Sequence, residues 1–166
     1  PRYLSSAASD VYKRQPVAEF NILVDPEAAK VVLSSGAKLV MMGLDVTHQA
    51  ISTSERLNTI HETGTTTGEY LVGLMGSLAD LEIVKQKFPD GTPVHDAFVT
   101  AYLVDSSLTT GEVTNVEVEV DSELTLGQTV VDINHISGRN KNVHWMNKVD
   151  DEKLFNIITN TSKLLP

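Results

Sequence analysis

Cysteine is absent from the 166 residues. That excludes a disulfide framework and any thiolate-bound metal. Positive charge is also scarce: 13 Lys and Arg stand against 22 Asp and Glu, for a net charge of -9. A chain this acidic is repelled by nucleic acid and by anionic membrane, so neither is expected as a partner. No apolar run approaches the roughly 18 residues of a membrane span. Nor does any segment join a basic start, an apolar core and a small-residue cleavage site, so the expected compartment is the cytoplasm. Internal repeats and low-complexity tracts are missing beyond the first residues. The Gly/Thr stretch Gly64 to Gly68 lacks the glycine spacing and the following Lys of a phosphate-binding loop.

What is present is enough chain for one domain with a real core. Residues 1–15, PRYLSSAASDVYKRQ, differ in texture from the rest of the chain: they are Ser/Ala-rich, with charges in no periodic order. The string looks like translated sequencing-adapter read-through, an ordinary loose tail being the alternative. The domain is therefore expected over 16–166. From Pro16 the texture alternates strand and helix. Asn21 to Val24 is predicted as a short buried strand. Asp25, Pro26 and Glu27 open a helix that stops at Gly36. Lys38 to Leu44 is predicted as a strand covered on both faces. Strand, helix, strand in this order is a crossover unit of an α/β fold. Ser52-Thr53-Ser54-Glu55 has capping-box form and opens a helix to about Glu62. A longer helix is predicted from the Gly/Thr loop to about Phe88, with Tyr70, Leu71, Leu74, Met75, Leu78 and Leu81 as core. Near the C-terminus the pattern turns to period two, at Val113 to Val120 and Thr129 to Ile133, predicting an antiparallel edge. A last strand over Asn142 to Met146 and a terminal helix capped by Asp150 close the chain.

The stretch richest in chemistry is Thr92-Pro93-Val94-His95-Asp96-Ala97-Phe98. Pro93 suits a first helical position, and an apolar run after Asp96 predicts a helix surrounded by protein. Its exposed first turn would present His95 and Asp96. Asp there is favoured by the helix dipole alone, and His could merely cap or pack. On spacing alone that ordinary reading is the stronger; motifs elsewhere reverse it. His48 ends a predicted strand and fits a structural hydrogen bond as well as a pocket, so it is not counted as a site residue. His61, His135 and His144 are expected to be solvated, and Glu117 and Glu119 to form a strand's exposed face.

Four blocks carry a family resemblance in the family's order: Pro16-Val17-Ala18-Glu19-Phe20-Asn21 with Val24 to Lys30; Gly43-Leu44-Asp45-Val46-Thr47-His48-Gln49-Ala50; Pro93-Val94-His95-Asp96-Ala97; and Glu123 to Asp132. Together they resemble the inosine/uridine-preferring nucleoside hydrolases, with Leu126 standing where that family more often has Arg. The resemblance implies a doubly wound, mainly parallel α/β sheet with an antiparallel edge near the C-terminus. It implies a calcium-dependent N-ribohydrolase acting on a small-molecule nucleoside, and a homo-oligomer, dimer or tetramer, at full length. Residue by residue, Glu19 and Asn21 match groups that hold ribose hydroxyls, with Phe20 packing between them. Asp96 matches a carboxylate that ligates Ca2+ and contacts ribose, and His95 the histidine that assists departure of the base.

Elementary chemistry agrees with those roles. Glycosidic cleavage passes through an oxocarbenium-like state, which carboxylates stabilise while an acid neutralises the leaving group. Histidine, with a reference pKa of about 6.5, can supply a proton near neutrality. The family's aspartate-rich loop, D-x-D-x-G-x-D-D, is missing. Asp96 alone cannot fill calcium's shell of about six to eight oxygens. The chain is therefore expected to correspond to the C-terminal part of such an enzyme and to be inactive alone. A non-catalytic nucleoside- or sugar-binding module of the same fold is the alternative.

Overall fold

The computed structural model describes residues 17–79 and 82–166. The opening string 1–15, Pro16 and Leu81 lie outside the described residues. The chain divides into two compact units, one of residues up to Leu44 with Gly111–Trp145, the other of Asp45–Thr110 with Met146–Pro166. In order, its elements are α1 (Phe20–Val24), α2 (Pro26–Leu33), β1 (Leu39–Met42), α3 (Leu44–Thr47), β2 (Ile51–Thr53), α4 (Ser54–His61), α5 (Thr66–Ala79) and α6 (Glu82–Lys87). After these come β3 (Gly91–Pro93), α7 (Asp96–Val104), β4 (Thr109–Thr114), β5 (Val116–Val118), β6 (Thr129–Val131), β7 (Val143–Val149) and α8 (Asp151–Leu164). The class is α/β with parallel strands, as expected: β1, β7 and β4 form one sheet in that order, while β2 pairs with β3 and β5 with β6, both antiparallel. The β5–β6 pair is the antiparallel edge that the period-two pattern predicted.

In the first unit, the predicted strand at Asn21–Val24 is instead the one-turn helix α1. The reason is local. Glu19 Oε2 accepts from the Asn21 and Ile22 amides at 2.8 and 3.3 Å, so a side-chain cap overrides the strand preference of the apolar residues. The next helix meets expectation: Asp25 Oδ1 accepts from Ala28 N at 2.9 Å, Pro26 sits in the first turn, and Gly36 comes after it at φ +75°. The strand predicted over Lys38–Leu44 shortens to β1, and Val40 is 39% exposed, so the sheet is not covered on both faces there. Asn142 joins α2 to β5. Its Nδ2 donates to the carbonyls of Leu33 and Val116, and its Oδ1 accepts from Val116 N. Val116 and Val143, both fully buried, sit beside that staple.

In the second unit the capping box is displaced by one residue. Thr53 caps α4, accepting from Arg56 N, whereas Ser52 is a buried β2 residue whose hydroxyl donates to the Thr92 carbonyl at 2.8 Å. Pro93 is in β3, paired with Ile51, and not at a helix start. β3 begins at Gly91, whose φ of +152° and 2.3 Å approach of a would-be Cβ to the Ser52 carbonyl oxygen leave room for glycine alone. The helix predicted to about Phe88 is described as α5 and α6, which stand on either side of residues 80–81, outside the described residues. Tyr70, Leu74 and Leu78, expected in the core, are 70%, 50% and 37% exposed. Two apolar stripes run along α5 at helical spacing, and the one through Gly68, Leu71, Val72 and Met75 faces inward. Likewise α7 is not surrounded: Phe98 and Ala101 are buried, but Leu103 and Val104 are 80% and 71% exposed. The core joins Ile60, Val94 and Phe155, with Leu71, Val72, Ala97 and Ile158 against it. Burying an apolar side chain of that size contributes about 2 kcal/mol. Arg56 lies 4.3 Å above the Phe155 ring and pairs with Asp151 at 2.6 Å. Asp150 caps α8 through Lys153 N, as expected. No described helix is long and apolar enough to cross a membrane.

Candidate active site

The expected site residues fall in two groups, one in each unit. In the first unit Glu19, Phe20 and Asn21 share the start of α1. Glu19 Oε2 is committed to the cap, which fixes the carboxylate at the head of the turn, and Asn21 is exposed. This turn is braced from a distant stretch of chain. Gly127, at φ +79°, passes so close that a Cβ there would lie 3.1 Å from Leu23 Cα and 3.2 Å from Ala18 Cβ. Two of the resembling blocks, Val17–Asn21 and Glu123–Asp132, therefore meet in space. An open hollow of about 810 Å³ elsewhere in this unit is lined by Lys30, Glu117, Glu119 and Arg139 among others, and by none of the expected residues.

In the second unit His95 and Asp96 are held out of the core by anchors on both sides. Val94 is buried between Ile60 and Phe155, its amide donating to the Ala50 carbonyl at 2.9 Å. Phe98 is fully buried on the far side. Both intervening polar residues are exposed. His95 is the N-cap residue of α7, yet its side chain makes no capping hydrogen bond. Its Nδ1 lies 2.8 Å from the Thr47 hydroxyl, and Thr47 is 2% exposed. The ordinary reading of this histidine as a cap is thereby set aside. The Asp96 carboxylate is exposed and has no hydrogen-bond or ion-pair partner among the described residues.

Two residues not counted as site residues, Thr47 and His48, lie beside His95. The His48 ring meets the Phe88 ring edge-on at 4.9 Å and the His95 ring, tilted, at 5.6 Å. Desolvation holds the His48 pKa down to about 4, with the charges of Lys87 and His95 adding to it. His95 is also lowered, by desolvation first; Asp96 opposes this and Lys87 reinforces it. Both shifts favour the neutral imidazole. The signal was in the sequence: Thr47 and His48 stand in the second resembling block, and Lys87-Phe88 ends the amphipathic stretch before the Pro89-Asp90-Gly91 turn. Of the other histidines, His61 is exposed. His135, also exposed, pairs with Glu112 at 3.2 Å, and His144 is half-buried in β7 instead of lying in a loop. Glu117, expected on an exposed strand face, pairs with Arg139 at 2.5 Å.

Calcium was expected on Asp96. Among the described residues no three His, Asp or Glu side chains are grouped as a metal ion requires. Asp96 offers at most two oxygens toward a shell of about six to eight, so these residues do not by themselves make the site.

Residues 7–156 match the model of a family described as inosine-uridine preferring nucleoside hydrolase. A probable ribonucleoside hydrolase of Dictyostelium discoideum is 37% identical over 152 residues, covering 87% of this chain and 44% of that protein. The inosine-uridine preferring nucleoside hydrolase of Crithidia fasciculata is 33% identical over 142 residues, covering 86% and 45%. Among solved structures, the purine-preferring ribonucleoside hydrolase from Gardnerella vaginalis superposes with a TM-score of 0.74 at 27% identity, covering 90% of this chain and 48% of that one. The chain spans about half the length of the curated relatives it matches.

Proposed function

Since the chain belongs to the inosine-uridine preferring nucleoside hydrolase family, we propose that the complete polypeptide hydrolyses the N-glycosidic bond of ribonucleosides, releasing base and ribose. The observation that carries this reading is the His95–Asp96 turn, two polar residues raised between the buried anchors Val94 and Phe98, with the histidine held by Thr47 and the carboxylate left unpaired. Leaving-group departure puts positive charge on the ribose ring and electron density on the base. Asp96 stabilises the first by its negative charge. His95 stabilises the second by a hydrogen bond to the departing base. Glu19 and Asn21 take ribose hydroxyls and Phe20 packs against the sugar or base, so binding energy orients the bond to be broken.

Calcium is proposed as the cofactor, with Asp96 among its ligands and the other oxygens drawn from outside the described residues. When bound it would orient the ribose diol and acidify a coordinated water. A cytoplasmic location and a homo-oligomeric state, dimer or tetramer, are proposed with the same assignment. The test is release of free base and reducing sugar from inosine and uridine by the intact protein. Stoichiometric release of both supports hydrolysis. Saturable nucleoside binding without release would replace it with the non-catalytic binding module, and absence of both overturns the site assignment.

A further inference from the structure

His95 has a partner whose chemistry decides which face of the imidazole reaches a ligand. Thr47 is the last residue of α3 and is 2% exposed, so its hydroxyl cannot turn to water. Among the described residues that hydroxyl has one partner, His95 Nδ1 at 2.8 Å. Two assignments fit the distance. If Nδ1 carried the proton and donated, the Thr47 O–H would be a buried donor with no acceptor. An orphaned donor of that kind is costly in a folded protein. If instead Thr47 donates, Nδ1 is bare and both groups are satisfied. A neutral imidazole then has its proton on Nε2, on the opposite side of the ring from Thr47. The His48 ring neighbours the His95 ring at 5.6 Å, and Phe88 meets His48 at 4.9 Å.

We infer that Thr47 is a positioning residue: its hydroxyl donates to His95 Nδ1, fixes the Nε2–H tautomer, and so sets Nε2–H as the donor that faces the departing base. The role toward the base rests on the function proposed above, whereas the tautomer does not. A hydroxyl in this place gives the imidazole orientation without placing a second negative charge beside Asp96. That differs from a carboxylate partner, which would raise the proton affinity of the ring. The arrangement suits a residue that must donate one hydrogen bond in a fixed direction.

The test is a long-range proton–nitrogen correlation spectrum of the intact protein, labelled with nitrogen-15 at histidine, at pH 8. The His95 signals are assigned by their loss in His95→Gln. Nε2 is expected in the protonated, pyrrole-type range and Nδ1 in the bare, pyridine-type range. Thr47→Val should move both toward the average of mixed tautomers, and Thr47→Ser should restore the original pattern. In the base-release assay Thr47→Val should lower kcat by about tenfold with KM little changed. A wild-type Nδ1–H tautomer overturns the inference, as does a Thr47→Val spectrum identical to wild type. Should Thr47→Val fail to fold, the wild-type spectrum and Thr47→Ser still decide. A protein that shows the stated tautomer but releases no base would refute the hydrolase reading and leave this inference standing.

Discussion

Acidification below pH 6.5 should destabilise the second unit, and His48 is the reason. In the folded protein its pKa is pushed from 6.5 to about 4, first by desolvation and then by the charges of Lys87 and His95. Above pH 6.5 the ring is neutral in both states, so its contribution to stability is fully present. As pH falls below that value the unfolded chain takes up the proton first, and stability drains away until the folded ring protonates near pH 4. The gap corresponds to about 3 kcal/mol at roughly 1.4 kcal/mol per unit, and to about 2 kcal/mol once the ring's partial exposure is allowed for. His95, lowered in the same direction, adds to the slope. Asp105, Glu119 and Asp132 are also lowered, by hydrogen bonds from Lys153, from backbone amides and from Ser137 respectively, and they weaken the fold only at still lower pH. Urea unfolding of the intact protein at pH 7.5 and pH 4.5 reads the effect as a midpoint shift of about 1 M. His48→Phe keeps a ring against Phe88 and removes the proton site, so its midpoint should move far less. Equal shifts for wild type and variant would show that His48 is not the responsible group.

Three further outcomes rest on particular contacts. Gly127→Ala puts a side chain into a left-handed backbone and against Leu23; it should cost about 1–3 kcal/mol and speed amide exchange over residues 18–24, and unchanged exchange there would contradict the bracing of the Glu19 turn. Thr92→Val removes a buried hydroxyl that has no hydrogen-bond partner among the described residues and should leave stability unchanged or raise it by about 1 kcal/mol; a loss above about 1 kcal/mol would reveal an unrecognised partner. Tyr70→Lys with Leu103→Lys replaces two apolar side chains that are 70% and 80% exposed and should raise the solubility of the chain without altering its helix content. Identical light scattering for variant and parent would argue that these faces do not drive association.

How far the sequence can be read differs by the kind of signal. Some caps and breakers translated directly: Asp25, Pro26, Gly36 and Asp150 bound the helices they were expected to bound, whereas the cap of α4 shifted to Thr53 and Pro93 fell in a strand. Period-two alternation likewise found β5 and β6. Apolar content did not decide where strands lie. Asn21–Val24 reads as strand, but Glu19 closes it into a turn through a carboxylate whose reach is not visible in propensity. The β2–β3 pair was missed because each strand is three residues long and one contains Pro93, which its partner tolerates in a two-stranded ladder. On α5 both apolar stripes fit a helical period, and burial selects by what packs alongside, which lies far away in sequence. The same limit applies to the site. His95 and Asp96 stood out through their neighbours Pro93 and Phe98, whereas Thr47 and His48 gain meaning only from 48 residues away, where Thr47 meets the His95 ring.

Central to the proposed chemistry is the carboxylate raised at the start of α7. The direct measurement is base release from inosine and uridine, with Ca2+ supplied, by the intact protein and by its Asp96→Ala variant. Hydrolysis by the parent and its loss by at least about a hundredfold in the variant, with unfolding midpoints alike because this side chain is exposed, are the predicted results. Equal rates from the two proteins would contradict the assignment of this turn as the reacting edge.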